Sequence, residues 1–403
     1  MAPECVWGSC LYCSGCRLGE KERERGREMV RVVQVGLGDW GMNWASSITP
    51  KVQAIEIVGY VARSRGGGGG GGAPGGGGGA PRARLGDCAA PFFFSLREAV
   101  ERTAADGVLV LTPTETHVEL VSRALALGCH VLVEKPFVPT VSEGRELVRV
   151  AEARGLVLMV NQNFRYFPAA QRAADIVRGR ELGEVAAVSI AFRRILSYES
   201  DAKAHWHRTL RQPLIADLAI HHFDLIRMVL GSEPVSVYCT APRLSWSTFR
   251  DPGTAAAILV FESGATVTWT GSWEARAETT FSGEWHMQYQ HGDVIWACRS
   301  DRDVTLDGDR LAVVDGLGAM RAETLPRDQV FGRVAVLEAF ATAISNGRQA
   351  WFFPSGRDNL GSIALMEAAI RSYQTGRVVD VRAELDREGE KGVSLSNKHG
   401  YRV

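Results

Sequence analysis

The 403-residue sequence predicts an α/β protein with a doubly wound parallel sheet, followed by an α/β domain with a mostly antiparallel open sheet. Strand-like and helix-like segments alternate over residues 31–160, the pattern of parallel strands joined by helical crossovers. A glycine-rich turn, Gly36-x-Gly38-x-x-Gly41, stands between the first strand and the first helix. Over residues 185–297, strands follow one another largely without helices, which favours antiparallel pairing.

The first part of the chain is predicted to alternate strand and helix. Its short apolar runs suit buried strands, and its longer segments with apolar residues three or four apart suit helices. The strands are predicted at residues 31–35, 54–61, 107–111, 130–133 and 156–160. The helices are predicted from the glycine turn to Ile48 and at residues 95–103, 115–127 and 141–153.

The second part is predicted to form one large sheet flanked by helices. The strands are predicted at residues 185–192, 235–239, 255–261, 266–273, 284–289 and 293–297. Two helices are predicted before most of them, at 169–177 and 215–230, and two after them, at 330–345 and 359–375. Turn signals such as Glu262-Ser-Gly264 and Leu306-Asp-Gly308 separate several strands and indicate antiparallel neighbours.

The predicted elements divide the chain into two domains and two terminal segments. These are a disordered leader at 1–28, a first domain at 29–160, a second domain at 161–385 and a polar tail at 386–403. The glycine tract at 66–79 has almost no side chains to bury, so it is expected to be a flexible loop of the first domain.

Four of the eight cysteines cluster in the leader, at Cys5, Cys10, Cys13 and Cys16. Their spacing could hold zinc or an iron–sulfur centre. Alternatively, the leader is dispensable, and we favour this interpretation because no periodic pattern surrounds the cysteines.

The charge of the chain is balanced, with Lys+Arg 46 and Asp+Glu 46. It lacks the positive excess that binding to a nucleic-acid backbone requires. No apolar run approaches the ~18 residues that cross a bilayer, and residues 1–20 lack the regions of a signal peptide. We expect a soluble, cytoplasmic protein without nucleic-acid or membrane partners.

The glycine turn predicts a dinucleotide-binding Rossmann domain. The first glycine permits the tight turn, the second lets the backbone approach a pyrophosphate, and the third allows the helix to pack on the strand. Ligands of open α/β sheets bind where the strands end, and Thr112-Pro113 and Glu134-Lys135 follow two later strands. The candidate cofactor-binding residues are Gly36, Gly38, Asp39, Trp40, Gly41, Arg63, Ser64, Thr112, Pro113, His117, Glu134 and Lys135.

The end of the second strand predicts NADP rather than NAD as the cofactor. An acidic residue there would bind the ribose hydroxyls of NAD and repel a 2′-phosphate. The sequence instead has Arg63-Ser64-Arg65, which could bind that phosphate. The alternative is that the two arginines only solvate a loop.

Lys135 is a candidate catalytic residue. An apolar strand delivers it to the ligand-binding edge, in a chain that otherwise uses arginine for most of its cations. The compact ammonium of lysine can donate to a substrate oxygen and can shift its pKa.

A predicted helix supplies further candidates. Asp217, His221 and Asp224 have the spacing i, i+4 and i+7, which places them on one helical face. Hydride transfer from an alcohol requires a base for the hydroxyl proton, and histidine suits that task. A carboxylate one turn away could fix the tautomer of the ring. The alternative is a helix-capping aspartate beside two packed histidines.

These motifs together resemble the Gfo/Idh/MocA oxidoreductases. The resemblance runs from about Met29 to Val381 and is carried by the glycine turn, Glu134-Lys135-Pro136, the stretch at 161–166, Asp217-x-x-x-His221-x-x-Asp224 and the closing glycine and arginine motifs at 346–377. It implies that Lys135 binds the substrate hydroxyl with Asp217 as its partner, that His221 is the acid/base, and that the Lys135–Pro136 bond is cis.

The resemblance also implies oxidation of a sugar or cyclitol hydroxyl with NAD or NADP, in a homodimer or homotetramer formed through the open sheet. The candidate substrate-binding residues are Lys135, Asn161, Arg165, Tyr166, His205, Asp217 and His221. Histidines such as His205, His207 and His221 suit zinc. No metal is expected, because hydride chemistry with Lys135 does not need one.

The sequence therefore predicts an NAD(P)-dependent dehydrogenase or reductase that acts on a sugar, inositol or related polyol. One alternative is a redox glycosidase, which oxidises one carbon transiently to assist cleavage. The other is a nucleotide-sensing regulator without catalysis, and the presence of Lys135, Asp217 and His221 together disfavours it.

Overall fold

The computed structural model describes residues 29–62, 85, 90–195, 211–276, 279, 283–297, 308–326 and 330–387. The predicted leader, the glycine tract at 66–79 and most of the polar tail lie outside these residues, as do three candidate site residues, Arg63, Ser64 and His205.

The first domain is built on a six-stranded parallel sheet within the described residues. Its strands are β1 (Val30–Val35), β2 (Ile55–Val61), β3 (Phe92–Phe93), β4 (Gly107–Val110), β5 (His130–Val133) and β6 (Leu158–Val160). Their order, β3-β2-β1-β4-β5-β6, confirms the predicted doubly wound sheet. The order reverses between β1 and β4, and this reversal opens a crevice at the carboxyl ends of the strands.

Helices cover both faces of this sheet, because its strands are buried on both sides. Along the chain they are α1 (Asp39–Asn43), α2 (Leu96–Thr103), α3 (His117–Ala126) and α4 (Val141–Ala153). Ser95 and Thr140 cap α2 and α4 by accepting the backbone N–H of the residue three positions on. A π-helical segment, Trp44–Ile48, continues α1.

The second domain contains a nine-stranded sheet, counted over the described residues. Its strands are β7 (Val185–Arg193), β8 (Pro234–Thr240), β9 (Thr254–Phe261), β10 (Thr266–Ser272), β11 (Glu284–Tyr289), β12 (Gly292–Ala297), β13 (Gly308–Asp315), β14 (Met320–Pro326) and β15 (Val379–Asp380). Their order is β14-β13-β12-β11-β7-β10-β9-β8-β15. All pairings are antiparallel except that of β7 with β10, which confirms a mostly antiparallel sheet.

Helices pack on one face of the large sheet and between the two domains. They are α5 (Pro168–Gly179), α6 (Ile220–Leu230), α7 (Arg333–Asn346), α8 (Gly356–Thr375) and α9 (Val381–Asp386). Helix α8 packs on β8, α6 and α4, whereas α7 returns to the parallel sheet and places Val336, Leu337 and Phe340 against its inner strands. None of the helices in the described ranges is both long and apolar enough to cross a bilayer.

The other face of the large sheet has no helix packed on it among the described residues. Strand residues alternate between the buried face and this open face, as in β9, where Leu259 is buried and Ile258 is exposed. The pairing register places one row of side chains across the open face: Tyr238, Ile258, Thr268, Ser189, His286 and Ile295.

Candidate functional site

The glycine turn follows β1 at the carboxyl edge of the parallel sheet. Gly36 has φ +103°, and a Cβ there would lie 2.5 Å from the carbonyl oxygen of Leu111. A Cβ at Gly41 would lie 2.1 Å from the carbonyl oxygen of Gly36. At Gly38, in contrast, a Cβ would meet no atom within 4 Å. The turn is therefore closed on its protein side and open at Gly38, which fits a pyrophosphate approaching the backbone.

Gln34 holds this turn from below. Its Nε2 donates to the carbonyl oxygens of Gly41 at 2.8 Å and Gly36 at 3.2 Å. The side chain lies on β1 and is fully buried. The shape of the turn thus depends on a strand residue as well as on its glycines.

The carboxylate of Glu134 connects the turn with the loop that carries Lys135. Its Oε1 accepts from Trp40 Nε1 at 2.5 Å and from Asn161 Nδ2 at 2.9 Å, while Oε2 accepts from the backbone N–H of Lys135. Trp40 remains 46% exposed. Asn161 therefore positions Glu134. The predicted contact of Asn161 with the substrate has no support in this arrangement.

The prediction that His117 contacts the cofactor is wrong, because the ring is fully buried. Its Nε2 lies 2.8 Å from the carbonyl oxygen of Thr112, and its Nδ1 lies 2.9 Å from that of Pro136. Burial lowers the pKa of His117, so the neutral ring donates to one carbonyl at a time. His117 ties the loop that carries Thr112 and Pro113 to the loop after β5.

Lys135 and Asp217 meet across the two domains. Lys135 Nζ donates to Asp217 Oδ1 at 2.7 Å and to the backbone carbonyl oxygen of Asp217 at 2.6 Å. The Lys135–Pro136 peptide bond is cis, as the resemblance implied. Strand β5 delivers the lysine to the carboxyl edge, and the segment before α6 delivers the aspartate.

His221 is buried, and both members of this ion pair act on it electrostatically. Its ring stacks on Phe164, with centroids 4.3 Å apart and planes inclined by 12°. Burial and the Lys135 ammonium hold the pKa of His221 well below its usual value of 6.5, although Asp217 acts in the opposite direction. The imidazole is therefore neutral at neutral pH and can accept a proton.

Asp217, His221 and Asp224 were predicted to share one face of a single helix, but Asp217 lies on a π-helical segment and the other two lie on α6. Residues Leu214–Ala219 form a π-helix, and its wider turn changes the angle between Asp217 and the α-helical residues after it. Nδ1 of His221 has no hydrogen-bond partner in the described part of the chain, so no carboxylate fixes the tautomer at this nitrogen.

Asp224 instead pairs with Arg165 in the interior. Arg165 Nε and Nη2 each donate to the Asp224 carboxylate at 2.6 Å. The same guanidinium donates to Asp358 on α8. With only 4% of its side chain exposed, Arg165 is not available to a substrate, so its predicted substrate contact is wrong.

Tyr166 is also largely enclosed. Its ring makes an edge contact with Phe352, and its hydroxyl oxygen is buried without a hydrogen-bond partner among the described residues. Burial raises the pKa of this phenol. A role for Tyr166 in substrate binding has no support in this position.

Sequence reasoning did not assign three residues that shape the site: Gln34, Phe164 and Arg333. Phe164 lies within the stretch at 161–166 that carries the family resemblance, so its position in the sequence could have indicated a role in the site. Gln34 is a polar residue in a valine-rich strand, which is also a signal. Arg333 has none, because only the tertiary packing of α7 brings it to the glycine turn. The described residues contain no group of three or more His, Cys, Asp or Glu that could hold a metal ion.

Comparison with known proteins agrees with this geometry. A family model for the GFO/IDH/MocA C-terminal domain matches residues 170–290. A second model, for an oxidoreductase family with an NAD-binding Rossmann fold, matches residues 82–162. Together the two models cover half of the chain.

Individual proteins that resemble this chain are also named as dehydrogenases or oxidoreductases. The chain is 28% identical to inositol 2-dehydrogenase of Rhizobium meliloti, over 70% of this chain and 83% of that protein. It is 26% identical to D-apiose dehydrogenase of Paraburkholderia graminis, over 72% of this chain and 77% of that protein. The crystal structure of an oxidoreductase from Agrobacterium radiobacter in complex with NAD+, L-tartaric acid and magnesium superposes with a TM-score of 0.72, at 21% identity, over 88% of this chain and 99% of that one. This last likeness concerns the fold alone.

The two family models fall on the two sheets described above, one on each side of the junction where Lys135 meets Asp217. The protein belongs to the Gfo/Idh/MocA family of oxidoreductases, and its first domain is an NAD-binding Rossmann domain.

Proposed function

We propose that this protein is an NAD(P)-dependent dehydrogenase or reductase that acts on a hydroxyl-bearing carbon of a sugar, inositol or related polyol. The observation that carries the proposal is the convergence of three groups from both domains: the Lys135 ammonium, the Asp217 carboxylate 2.7 Å away and the buried imidazole of His221. The loop that carries Lys135 is joined to the glycine turn through Glu134 and Trp40.

Lys135 binds and polarises the reacting oxygen. An ammonium has three donors, and two of them are engaged by the carboxylate and the backbone carbonyl of Asp217. The third can donate to a hydroxyl or carbonyl oxygen of the substrate. Asp217 aims the ammonium, and the positive charge makes the bound hydroxyl more acidic.

His221 is the proton acceptor for oxidation. Its neutral ring takes the hydroxyl proton as the carbonyl forms, and its low pKa lets it release that proton readily afterwards. Phe164 fixes the plane of the ring by stacking. A nicotinamide dinucleotide bound at the glycine turn would supply the hydride acceptor or donor.

The substrate class rests on the relatives and on the donors at the site. Inositol 2-dehydrogenase and D-apiose dehydrogenase both act on polyhydroxylated compounds, as their names state. The site offers a cation, a carboxylate and an imidazole, which can bind adjacent hydroxyl groups.

We further infer that NADP is preferred over NAD, because Arg63-Ser64-Arg65 stands where an NAD site would have a carboxylate. Dissociation constants for both dinucleotides in the wild type and in Arg63→Ala test this. The substitution should weaken NADP binding and leave NAD binding nearly unchanged, whereas Arg382→Ala, a distant surface change, should alter neither. Equal loss for both dinucleotides contradicts the preference.

The experiment that tests the function is a panel of inositol, D-apiose and common aldoses, offered with NADP and with NAD. We expect at least one of these compounds to reduce the cofactor in proportion to the product formed. Cleavage of a glycoside without net reduction would instead identify the redox glycosidase. Tight dinucleotide binding with neither reaction would identify the regulator.

The open face of the large sheet supports a homo-oligomer. Tyr238, Ile258 and Ile295 lie exposed in its central row, and apolar side chains arranged in this way favour burial against another surface. We infer that a second copy of the chain covers this face, as a homodimer or homotetramer.

A further inference from the structure

Arg333, the first residue of α7, lies against the glycine turn although it follows that turn by almost three hundred positions. Its Nη1 donates to Asn43 Oδ1 on α1 at 2.9 Å, and its Nε donates to the carbonyl oxygen of Val330 at 2.8 Å. Its guanidinium carbon lies 4.6 Å from the centre of the Trp40 ring. Arg333 is buried, so these contacts hold a charged side chain in one orientation.

The backbone before Arg333 is docked on the loop that carries Phe164. Asn163 Nδ2 donates to the carbonyl oxygen of Phe331 at 2.6 Å. Gly332 has φ +73°, and a Cβ there would lie 2.4 Å from the carbonyl oxygen of Asn163. The loop that stacks Phe164 on His221 therefore also fixes the position at which α7 begins, and with it the position of Arg333.

Trp40 is the surface on which Arg333 rests. The indole N–H donates to Glu134, the residue before Lys135, so the ring spans from the glycine turn to the Lys135 loop. One side of the ring carries the guanidinium, yet the residue as a whole remains 46% exposed. A dinucleotide that reaches from the glycine turn to Lys135 must pass this ring.

The charge of Arg333 also reaches the acid/base. Four groups act electrostatically on His221. Lys135, His222 and Arg333 disfavour its protonated form, whereas Asp217 favours that form. The ring against which His221 packs, Phe164, is uncharged. His222 itself accepts a hydrogen bond at Nδ1 from the indole N–H of Trp269.

We propose that Arg333 is a positioning residue for hydride transfer, which fixes the Trp40 indole and so orders the part of the dinucleotide site that leads to Lys135 and His221. This inference rests on the proposed function. It assigns a role to the helix that returns from the second domain: α7 closes the parallel sheet and also sets the wall of the cofactor site.

The test compares Arg333→Met and Arg333→Lys with the wild type by calorimetric titration of NADP and NAD. Arg178→Met is a matched control, because Arg178 lies 4.1 Å over the Trp351 ring, away from the site. We expect Arg333→Met to weaken dinucleotide binding about tenfold, since a cation–π contact is stronger when its cation is buried, as that of Arg333 is. Arg333→Lys should weaken it about threefold, and Arg178→Met should leave it unchanged.

A double-mutant cycle with Trp40→Phe separates positioning from a general loss of stability. If Arg333 acts through the indole, Arg333→Met should weaken binding less in the Trp40→Phe background than in the wild type. Equal losses in both backgrounds, or wild-type affinity in Arg333→Met, overturn the proposal. Should Arg333→Met fail to fold, Arg333→Lys decides, and wild-type affinity in that variant overturns the proposal.

An NMR titration of His221, assigned by the loss of its signal in His221→Asn, gives a second readout that is independent of turnover. Removing the positive charge in Arg333→Met should raise the pKa of His221, and Arg333→Lys should restore it. An unchanged pKa in Arg333→Met contradicts the electrostatic part.

Failure of the proposed function is distinguishable from failure of this inference. A wild type that binds dinucleotide but oxidises no polyol removes the proposed function and leaves the binding comparison intact. A wild type that binds neither dinucleotide overturns both. Normal turnover with no effect of Arg333→Met on binding removes only the inference.

Discussion

At the scale of single residues, the proposed function gives Lys135 the largest share of the chemistry. We predict that Lys135→Met lowers kcat/KM by roughly 10²–10⁴-fold, the usual range for a group that assists proton movement at the reacting oxygen. Dinucleotide binding should stay within a few-fold, because Glu134 and Trp40 keep their own contacts. Steady-state kinetics and titration measure the two effects.

Lys135→Arg should not restore the activity, since the planar guanidinium cannot replace the compact ammonium between the carboxylate and the carbonyl of Asp217. The control is Lys51→Met, an exposed lysine on a short turn before β2. If Lys51→Met and Lys135→Met are equally active, Lys135 has no role in the reaction.

His221 predicts the direction of the pH dependence. Because its pKa lies well below 6.5, the active neutral form persists at and above that pH, and the acid limb of kcat/KM for oxidation should fall below pH 6.5. His221→Asn should remove this limb and reduce kcat by about 10²–10⁴-fold. His291→Asn, an exposed histidine at a turn, should keep the wild-type profile.

The same shift has a consequence for stability. The unfolded chain binds a proton at His221 near pH 6.5, whereas the folded chain binds it only at lower pH. Stability is therefore lost as the pH falls from 6.5 towards the folded-state value. Denaturant unfolding at pH 7 and pH 5 should show a smaller difference for His221→Asn than for the wild type, and equal differences would argue against a buried neutral ring.

At the scale of elements, the parallel sheet was the most predictable part of the molecule. Its valine-rich strands are buried on both faces, and short continuous apolar runs of this kind are typical of strands in a parallel sheet. Strands β13 and β14 were not predicted. β14 is largely exposed along its length, so it lacks the alternation that marks a strand.

The site was predictable in its residues and less so in its geometry. Lys135, Asp217 and His221 were proposed from motif and spacing, but the helical spacing did not reveal that Asp224 pairs with Arg165 in the interior. The π-helix at Leu214–Ala219 packs on β9 and β10, and no local pattern in the sequence sets its hydrogen-bond register. Arg165 was misassigned for a related reason: its partners, Asp224 and Asp358, lie on two helices far along the chain.

The junction between α4 and α8 should give a second, opposite dependence of stability on pH. Glu367 on α8 accepts the backbone N–H of Val141, the first residue of α4, at 3.0 Å. Burial raises the pKa of Glu367 to about 7 from 4.5. The folded chain thus holds a proton that the unfolded chain loses at lower pH, so stability declines as the pH rises from 4.5 through 7.

We predict that Glu367→Gln abolishes this decline, which amounts to roughly 3 kcal/mol for a shift of this size. The amide oxygen can still accept from Val141 and carries no charge to bury. Denaturant unfolding at pH 5 and pH 7.5 measures the difference. Glu338→Gln, an exposed carboxylate on α7, is the control and should behave as the wild type. If the free energy of unfolding of Glu367→Gln falls between pH 5 and pH 7.5 as much as that of the wild type, this carboxyl is not the cause of the decline.

At the scale of the whole molecule, the two sheets differ in how many of their faces are covered by helices. The parallel sheet is covered on both faces, by α2, α3 and α4 on one side and by the segment after α1 together with α7 on the other. Within the described residues, helices cover the large sheet on one face only. Nine strands spaced about 4.8 Å apart span roughly 40 Å, which is wide enough for a stable interface of about 800 Å² per partner.

Ile258 lies on β9, the third strand from the β15 edge of this open face, opposite Tyr238 on β8 and Thr268 on β10. If a second copy covers the face, Ile258→Lys would bury a charge without a partner, and the oligomer should dissociate. Light scattering after gel filtration should then give the mass of one chain, 43.8 kDa, in place of a multiple of it. Leu317→Lys, at the exposed turn between β13 and β14, should keep the wild-type mass. A wild type that is monomeric at micromolar concentration, or an Ile258→Lys variant with unchanged mass, contradicts assembly through this face and leaves the apolar row to another partner.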